Sequence, residues 1–179
     1  MSDLSLTRLW IMRGAFILLS LVILFFHLLP LDTVPRGWAG PDLLLCFAFA
    51  WSIRRPEYVP AVALAGAFLL ADLLLQRPPG LWALLALIAC ENMKVRARTL
   101  RVSNFFAEWI TVSALILAIA VGYRLVLAIV LVDVPALMLT ASGVVLTVIC
   151  YPVVVAFTHS LMGVRKSAPG ELDALGQRI

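Results

Sequence analysis

The chain has 179 residues, 63% of them hydrophobic and 13% charged, with a formal net charge of +4 and a mean hydropathy of +1.05. Soluble domains run at roughly 45–50% apolar and about a quarter charged, so this composition excludes a water-soluble globular protein and leaves no room for a separate soluble domain. The basic residues follow the boundaries of apolar runs, which is a topology signal and not the footprint of nucleic-acid binding.

Arg8 and Arg13 precede an apolar stretch that continues to Leu31. It is longer than the apolar core of a signal peptide and has no small-x-small cleavage site, so it is expected to stay as a first helix. The apolar runs are Leu9–Leu31, Pro41–Ile53, Tyr58–Leu75, Gly80–Met93, Asn104–Leu131 and Pro135–Met162. A bilayer core about 30 Å thick takes about 20 helical residues, so the pattern predicts an all-α, polytopic membrane bundle of about six transmembrane helices in one domain. The second and fourth runs are short. Either their flanking arginines snorkel or the other helices shelter them.

The breaks are Pro30 to Pro41, Arg54-Arg55-Pro56-Glu57, Gln76-Arg77-Pro78-Pro79, Lys94 to Arg101 and Asp133-Val134-Pro135. Proline cannot continue a helix, and each of these breaks is read as a tight turn. Counted over six spans with a cytoplasmic N-terminus, Arg8, Arg13, Arg54, Arg55, Lys94, Arg96, Arg98, Arg101, Arg165, Lys166 and Arg178 fall inside, and only Arg36 and Arg77 outside. That bias predicts both termini in the cytoplasm. The acids Asp32, Asp42, Asp72 and Asp133 lie near the opposite ends. Trp10, Trp51 and Trp109 at inner ends, with Trp38 and Trp82 at outer ends, fit an interfacial aromatic belt on the same map.

Pro41-Asp42 opening a short helix, Arg54-Arg55-Pro56, Gly66, Asp72-Leu73-Leu74 and Pro79-Gly80 before an alanine and leucine helix form a pattern that resembles the rod shape-determining MreD family. Tyr151-Pro152 in the last run, followed by Arg165-Lys166, is a weaker echo. The stiff, basic Gln76-Arg77-Pro78-Pro79 approach departs from the family's pattern. The resemblance implies a non-enzymatic component of the bacterial wall-elongation machinery in the inner membrane, partnered with the periplasmic coiled-coil protein MreC and through it with the MreB filament and the wall synthases. It also implies a fold similar to the six-helix substrate-binding subunits of vitamin (ECF-type) transporters.

Read on their own chemistry, the polar residues divide as follows. Asp72 stands at the end of the third run, where the helix dipole disfavours an anion; an ion pair with Arg77 or Arg36 is the first reading, with ligand or partner contact and proton coupling as alternatives. Asp42 falls in the first turn of the second helix, behind Gly40 as N-cap and Pro41 as first residue, and suits capping. Arg54 and Arg55 read as a topology anchor that Pro56 terminates, and the Lys94 to Arg101 stretch as a lipid-facing anchor. Glu91 can meet Lys94 at i, i+3, and Glu108 can reach water. Arg124, within the fifth run, is expected to snorkel to the outer headgroups near Asp133.

Ala114, Ala118 and Gly122 form a small-residue ridge suited to helix packing. Cys46, Cys90 and Cys150 match no metal spacing and read as core residues. His27 and His159 sit at opposite ends and cannot share a metal, and no motif for nucleophilic or phosphate chemistry stands out, so no cofactor is expected. The rival to a scaffold is a small-solute or lipid-precursor binding or transport subunit, built from Asp42, Asp72, Arg36, Arg77 and Arg124.

The charge pattern makes a direct prediction. A cytoplasm-dependent reporter fused after Arg98 or Arg165 will be active, and a periplasm-dependent one will be active after Arg36 or Arg77. Periplasmic activity after Arg98 refutes the six-span map.

Overall fold

Leu, Ala and Val runs with few internal breakers form helix here, because a helix satisfies its own backbone groups where no water can. The computed structural model describes residues 2–29, 38–102 and 104–162. Among them it holds six helices: α1 Ser2–Leu28, α2 Leu43–Arg54, α3 Ala61–Leu74, α4 Leu81–Val102, α5 Phe105–Ile129 and α6 Leu137–Met162, with a 3₁₀ turn at Pro56–Tyr58. Asp32, Arg36, Arg165 and Lys166 lie outside the described residues.

Three helical stretches, Leu6–Leu28, Phe105–Ile129 and Leu137–Ser160, are long and apolar enough to cross a bilayer. The chain is thus an all-helical membrane protein. The expected break after Met93 is not a break: α4 runs for 22 residues, on through Lys94 and Arg96 to Val102. Lys, Arg and Ala are good helix formers, and neither glycine nor proline interrupts Leu81 to Val102. The short helices are instead α2, with 12 residues, and α3, with 14, about 18 Å and 21 Å long.

The short α2 is sheltered. Every residue from Leu44 to Arg54 is buried, and α2 packs against α1, α4, α6 and the 3₁₀ turn. An all-round apolar helix of this kind belongs at the centre of a bundle. Its aromatic side chains make the joint with α1: Phe16 stacks on Phe47 at 5.2 Å, and Trp51 lies against Phe16, Phe47 and Tyr58. α1 offers Leu9, Phe16 and Leu24 to this core while its other faces, with Trp10, Leu18 and Phe25, stay exposed. α5 and α6 likewise expose Leu117, Leu125, Ile149 and Val153. An exterior this apolar around buried polar groups fits hydrocarbon surroundings.

Two sequence expectations change. Of the five tryptophans, Trp10 and Trp38 are outward, at 67% and 63% exposure, while Trp51 is fully buried. Trp51 is therefore a core residue, because it belongs to the helix packed between α1, α4 and α6. The ridge on α5 also faces the other way: Ala114 and Ala118 are exposed, and the buried stripe is Val112, Ile116, Ile119, Ala120 and Leu127. Only Gly122 meets a neighbour, Leu85 on α4, where an added Cβ would stand 3.7 Å from a methyl group. Mostly larger apolar side chains, with Ala120, thus form the α5 contact, and Ala114 and Ala118 face outward.

Gly66 is exposed, and a Cβ there would meet nothing within 4 Å. Gly143 of α6 differs, since a Cβ would stand 3.4 Å from that of Ala39 and 3.8 Å from the Gly40 carbonyl. In detergent, Gly143→Leu will lower the unfolding temperature clearly. Gly66→Leu and Ala118→Leu will leave it near that of the parent, and a large drop in either would refute this placement.

Candidate functional site

α2 carries polar residues at both ends, and each end is tied to distant parts of the chain. At its C-terminal end Arg54 turns inward. Its Nη1 lies 2.7 Å from Oε1 of Glu108 on α5, with side-chain exposures of 5% and 0%. The Tyr151 hydroxyl of α6 donates to the same carboxylate oxygen at 2.6 Å. Three helices are thereby joined by charge-assisted bonds in a water-poor interior. Glu108 also occupies the first turn of α5, where the helix dipole favours an anion.

This arrangement corrects two expectations. Arg54 is a buried partner and not a surface anchor, and Glu108 does not reach water. Burial of the whole of α2 carries Arg54 inside, and an unpaired charge there would cost several kcal/mol. Arg55 is half-buried, 3.5 Å from Glu57. Pro56 ends α2 and opens the 3₁₀ turn, as a residue without an N–H should.

Beside this cluster, Pro152 sits inside α6. Lacking an N–H, it leaves the carbonyl of Val148 without its usual helical donor. The Trp109 indole of α5 takes that place, donating to Val148 O at 3.0 Å. The pair Tyr151-Pro152 therefore docks α6 on α5 twice: through the tyrosine hydroxyl and through the carbonyl that the proline releases. Around the same end, Arg13 donates to the Glu57 carbonyl, and Lys94 bridges Val59 O and Glu91, the last as expected.

At the N-terminal end of α2, Asp42 is itself the N-cap, two residues later than expected. Its Oδ1 accepts from Leu45 N at 2.9 Å, while its own N–H donates to Thr147 Oγ1 of α6 at 2.9 Å. Thr147 in turn donates to Gly143 O, and the Ala39 N–H donates to Ser142 Oγ. The segment after Trp38, including Pro41, is thus laid along α6, close to Gly143.

Asp72 also has a different role from the one expected. It is fully buried, and its Oδ2 accepts from the N–H groups of Gly80, at 3.0 Å, and Ala83, at 3.1 Å. A carboxylate at the unfavourable end of α3 is thereby the anion at the favourable end of α4, supplying the acceptor that orphan N–H donors at a buried helix start need. Pro79 leads into Gly80, whose φ of +88° is one that glycine adopts without steric cost. Arg77 goes instead to Asp42, at 3.9 Å, and stacks 5.0 Å over the Trp82 ring.

Arg124 donates to Pro135 O at 2.6 Å and Thr140 Oγ1 at 2.9 Å, closing the turn between α5 and α6. Beside this turn, between the start of α2 and the facing surfaces of α5 and α6, lies a cavity of about 240 Å³ lined by Asp42, Arg77, Trp82, Ala120, Tyr123 and Val144, among others. Sequence reasoning brought Asp42 and Arg77 toward one end. It missed Glu108, Tyr151 and Trp109 as a group, although a glutamate three residues into an apolar helix and a proline inside another were signals that each needs a partner. Among the described residues no group of three or more potential ligands could hold a metal ion.

Compared with family models, curated proteins and solved structures, the chain finds no match.

The buried cluster gives a graded prediction. Removing one charge, by Arg54→Met or Glu108→Leu, strands the other and will cost about 3–5 kcal/mol. Tyr151→Phe will cost about 1–3 kcal/mol, and the double variant Arg54→Met/Glu108→Leu will be more stable than either charge-removing single. Thermal unfolding in detergent checks the order; a double variant as unstable as the sum of both singles shows that the two charges are not coupled.

Proposed function

We propose that this chain is an MreD-like scaffold of the bacterial wall-elongation complex: a non-enzymatic, six-span inner-membrane protein with cytoplasmic termini. Its partner is an MreC-like periplasmic coiled-coil protein, and the MreB filament and wall synthases are engaged indirectly. The observation that carries this reading is what the polar residues of the resembling pattern do. Asp42, Arg54, Asp72, Gly80 and Tyr151 all serve contacts between helices or turns. A protein that works by assembly needs a bundle of fixed shape, and polar groups tied across helices fix register more narrowly than apolar contacts do.

Six spans are compatible with the short helices on physical grounds. α2 is enclosed by its neighbours, so its ends need not reach lipid headgroups, and irregular backbone at membrane depth is tolerated where protein covers it. In this topology the Asp42 end faces the periplasm and the Arg54 end the cytoplasm, and the basic later turns of α4 lie against anionic headgroups. The rival reading, a solute or lipid-precursor transport subunit, draws on the cavity beside Asp42. Transport would require that cavity to open alternately to both sides.

Depletion in the rod-shaped host is the test. The expected outcome is rounded cells and loss of lateral wall synthesis, restored by the parent chain. Glu108→Leu will insert yet fail to restore shape or recover the MreC-like partner. Normal rods after depletion, with loss of uptake or flipping of a solute, overturn the scaffold reading in favour of transport.

A further inference from the structure

The cavity near Asp42 has a chemical asymmetry that the scaffold reading does not use. Most of its wall is hydrocarbon, from Leu45, Ile116, Ala120, Leu139 and Val144. Arg77 and Asp42 are the charged groups in that lining, and they are satisfied to different degrees. Asp42 accepts from Leu45 N. Arg77 lies 3.9 Å from Asp42 Oδ2, beyond hydrogen-bond length, and rests on the Trp82 face. A guanidinium has five N–H donors and no acceptor, and among the described residues the guanidinium of Arg77 makes no hydrogen bond of ordinary length, its nearest carboxylate oxygen being the one at 3.9 Å. Tyr123, packed edge-on against Trp82 at 5.3 Å, brings a further polar group to the same wall. Arg124 adds positive charge at the rim, where it holds Pro135 and Thr140. The second acid nearby, Asp72, is engaged by Gly80 and Ala83.

We propose that this cavity binds an anionic amphiphile: a phosphate or carboxylate head received by Arg77, with the first part of an apolar chain lying along α5 and α6. Planar N–H donors match the oxygens of such heads, often in pairs, and the hydrocarbon wall fits a chain better than a free ion. At about 240 Å³, the space is below the roughly 300–1,000 Å³ of drug-sized sites. It suits a small head and several methylenes, and it excludes a bulky sugar or ring system. The Asp42 carboxylate makes the site discriminating, since an anion must approach Arg77 from the side away from it.

The test uses the full chain, purified in a neutral maltoside detergent, and follows thermal unfolding and tryptophan fluorescence with three probes. Dodecyl phosphate will give a saturable rise in unfolding temperature and a fluorescence change, and neither inorganic phosphate nor dodecanol will do so at equal concentration. Arg77→Gln will weaken the effect at least about tenfold, or about 1.4 kcal/mol, and Arg77→Lys will weaken it less. Ala120→Leu fills the cavity without altering charge and will abolish binding. Where the glutamine variant unfolds, the lysine and leucine variants carry the comparison. An equal response to inorganic phosphate assigns the site to soluble anions and overturns the amphiphile. An equal response to dodecanol makes it an unselective apolar cleft, and full binding by the Ala120→Leu variant places the ligand elsewhere. Because binding is read on purified protein, failure here leaves the cell-shape test unaffected.

Discussion

The enclosure of α2 is the constraint on which the other contacts depend. A 12-residue helix buried on all sides cannot leave either end to solvent, so each end must be completed by other parts of the chain. At its last turn this carries a guanidinium into the interior, and the bundle answers with a carboxylate from α5 and a hydroxyl from α6 on one oxygen. Such a pair adds little net stability over apolar residues of the same size, because desolvation offsets the attraction. Its effect is on specificity: α2, α5 and α6 can meet in one register, since any slip leaves a charge without its partner.

The opposite end follows the same rule with backbone groups. Asp42 caps its own helix while its N–H leans on Thr147, and Asp72 reaches across a turn to the first N–H groups of α4. Where water is scarce, orphan donors at a helix start are expensive, and a buried carboxylate from the preceding helix satisfies two at once. Pro152 and Trp109 show the converse case. A helix breaker frees a carbonyl, and an indole from the next helix makes that carbonyl a point of attachment. Hydroxyls elsewhere fold back on their own helices, as Ser20 does to Phe16 and Ser113 to Trp109, which satisfies them without linking helices.

Scaffold and ligand site need not compete in such a bundle. The Arg54 end is closed, with polar groups facing one another, while the Asp42 end leaves a cavity beside a guanidinium. An amphiphile held there would touch α2, α5 and α6 at the end where α2 begins, so its occupancy would add to the stability of the packing already present.

The sequence by itself determined what depends on composition and local order. The apolar runs established an all-helical membrane protein, and prolines marked the turns at Pro56 and Pro79. Asp42 was legible as a capping residue, and Glu91 with Lys94 as a local pair, because both act within a turn of helix. Tertiary structure decided which faces look inward. Ala114 and Ala118 of α5 pointed outward although their spacing suited packing, since in hydrocarbon both faces of a helix are apolar and periodicity carries little sense of direction. It also decided the partners of Arg54, Glu108, Asp72 and Tyr151. Those bonds join residues up to 54 positions apart, and nothing local specifies which carboxylate a buried arginine will meet. Only the folding of short α2 into the bundle, packed against α1, α4 and α6, brings them within reach.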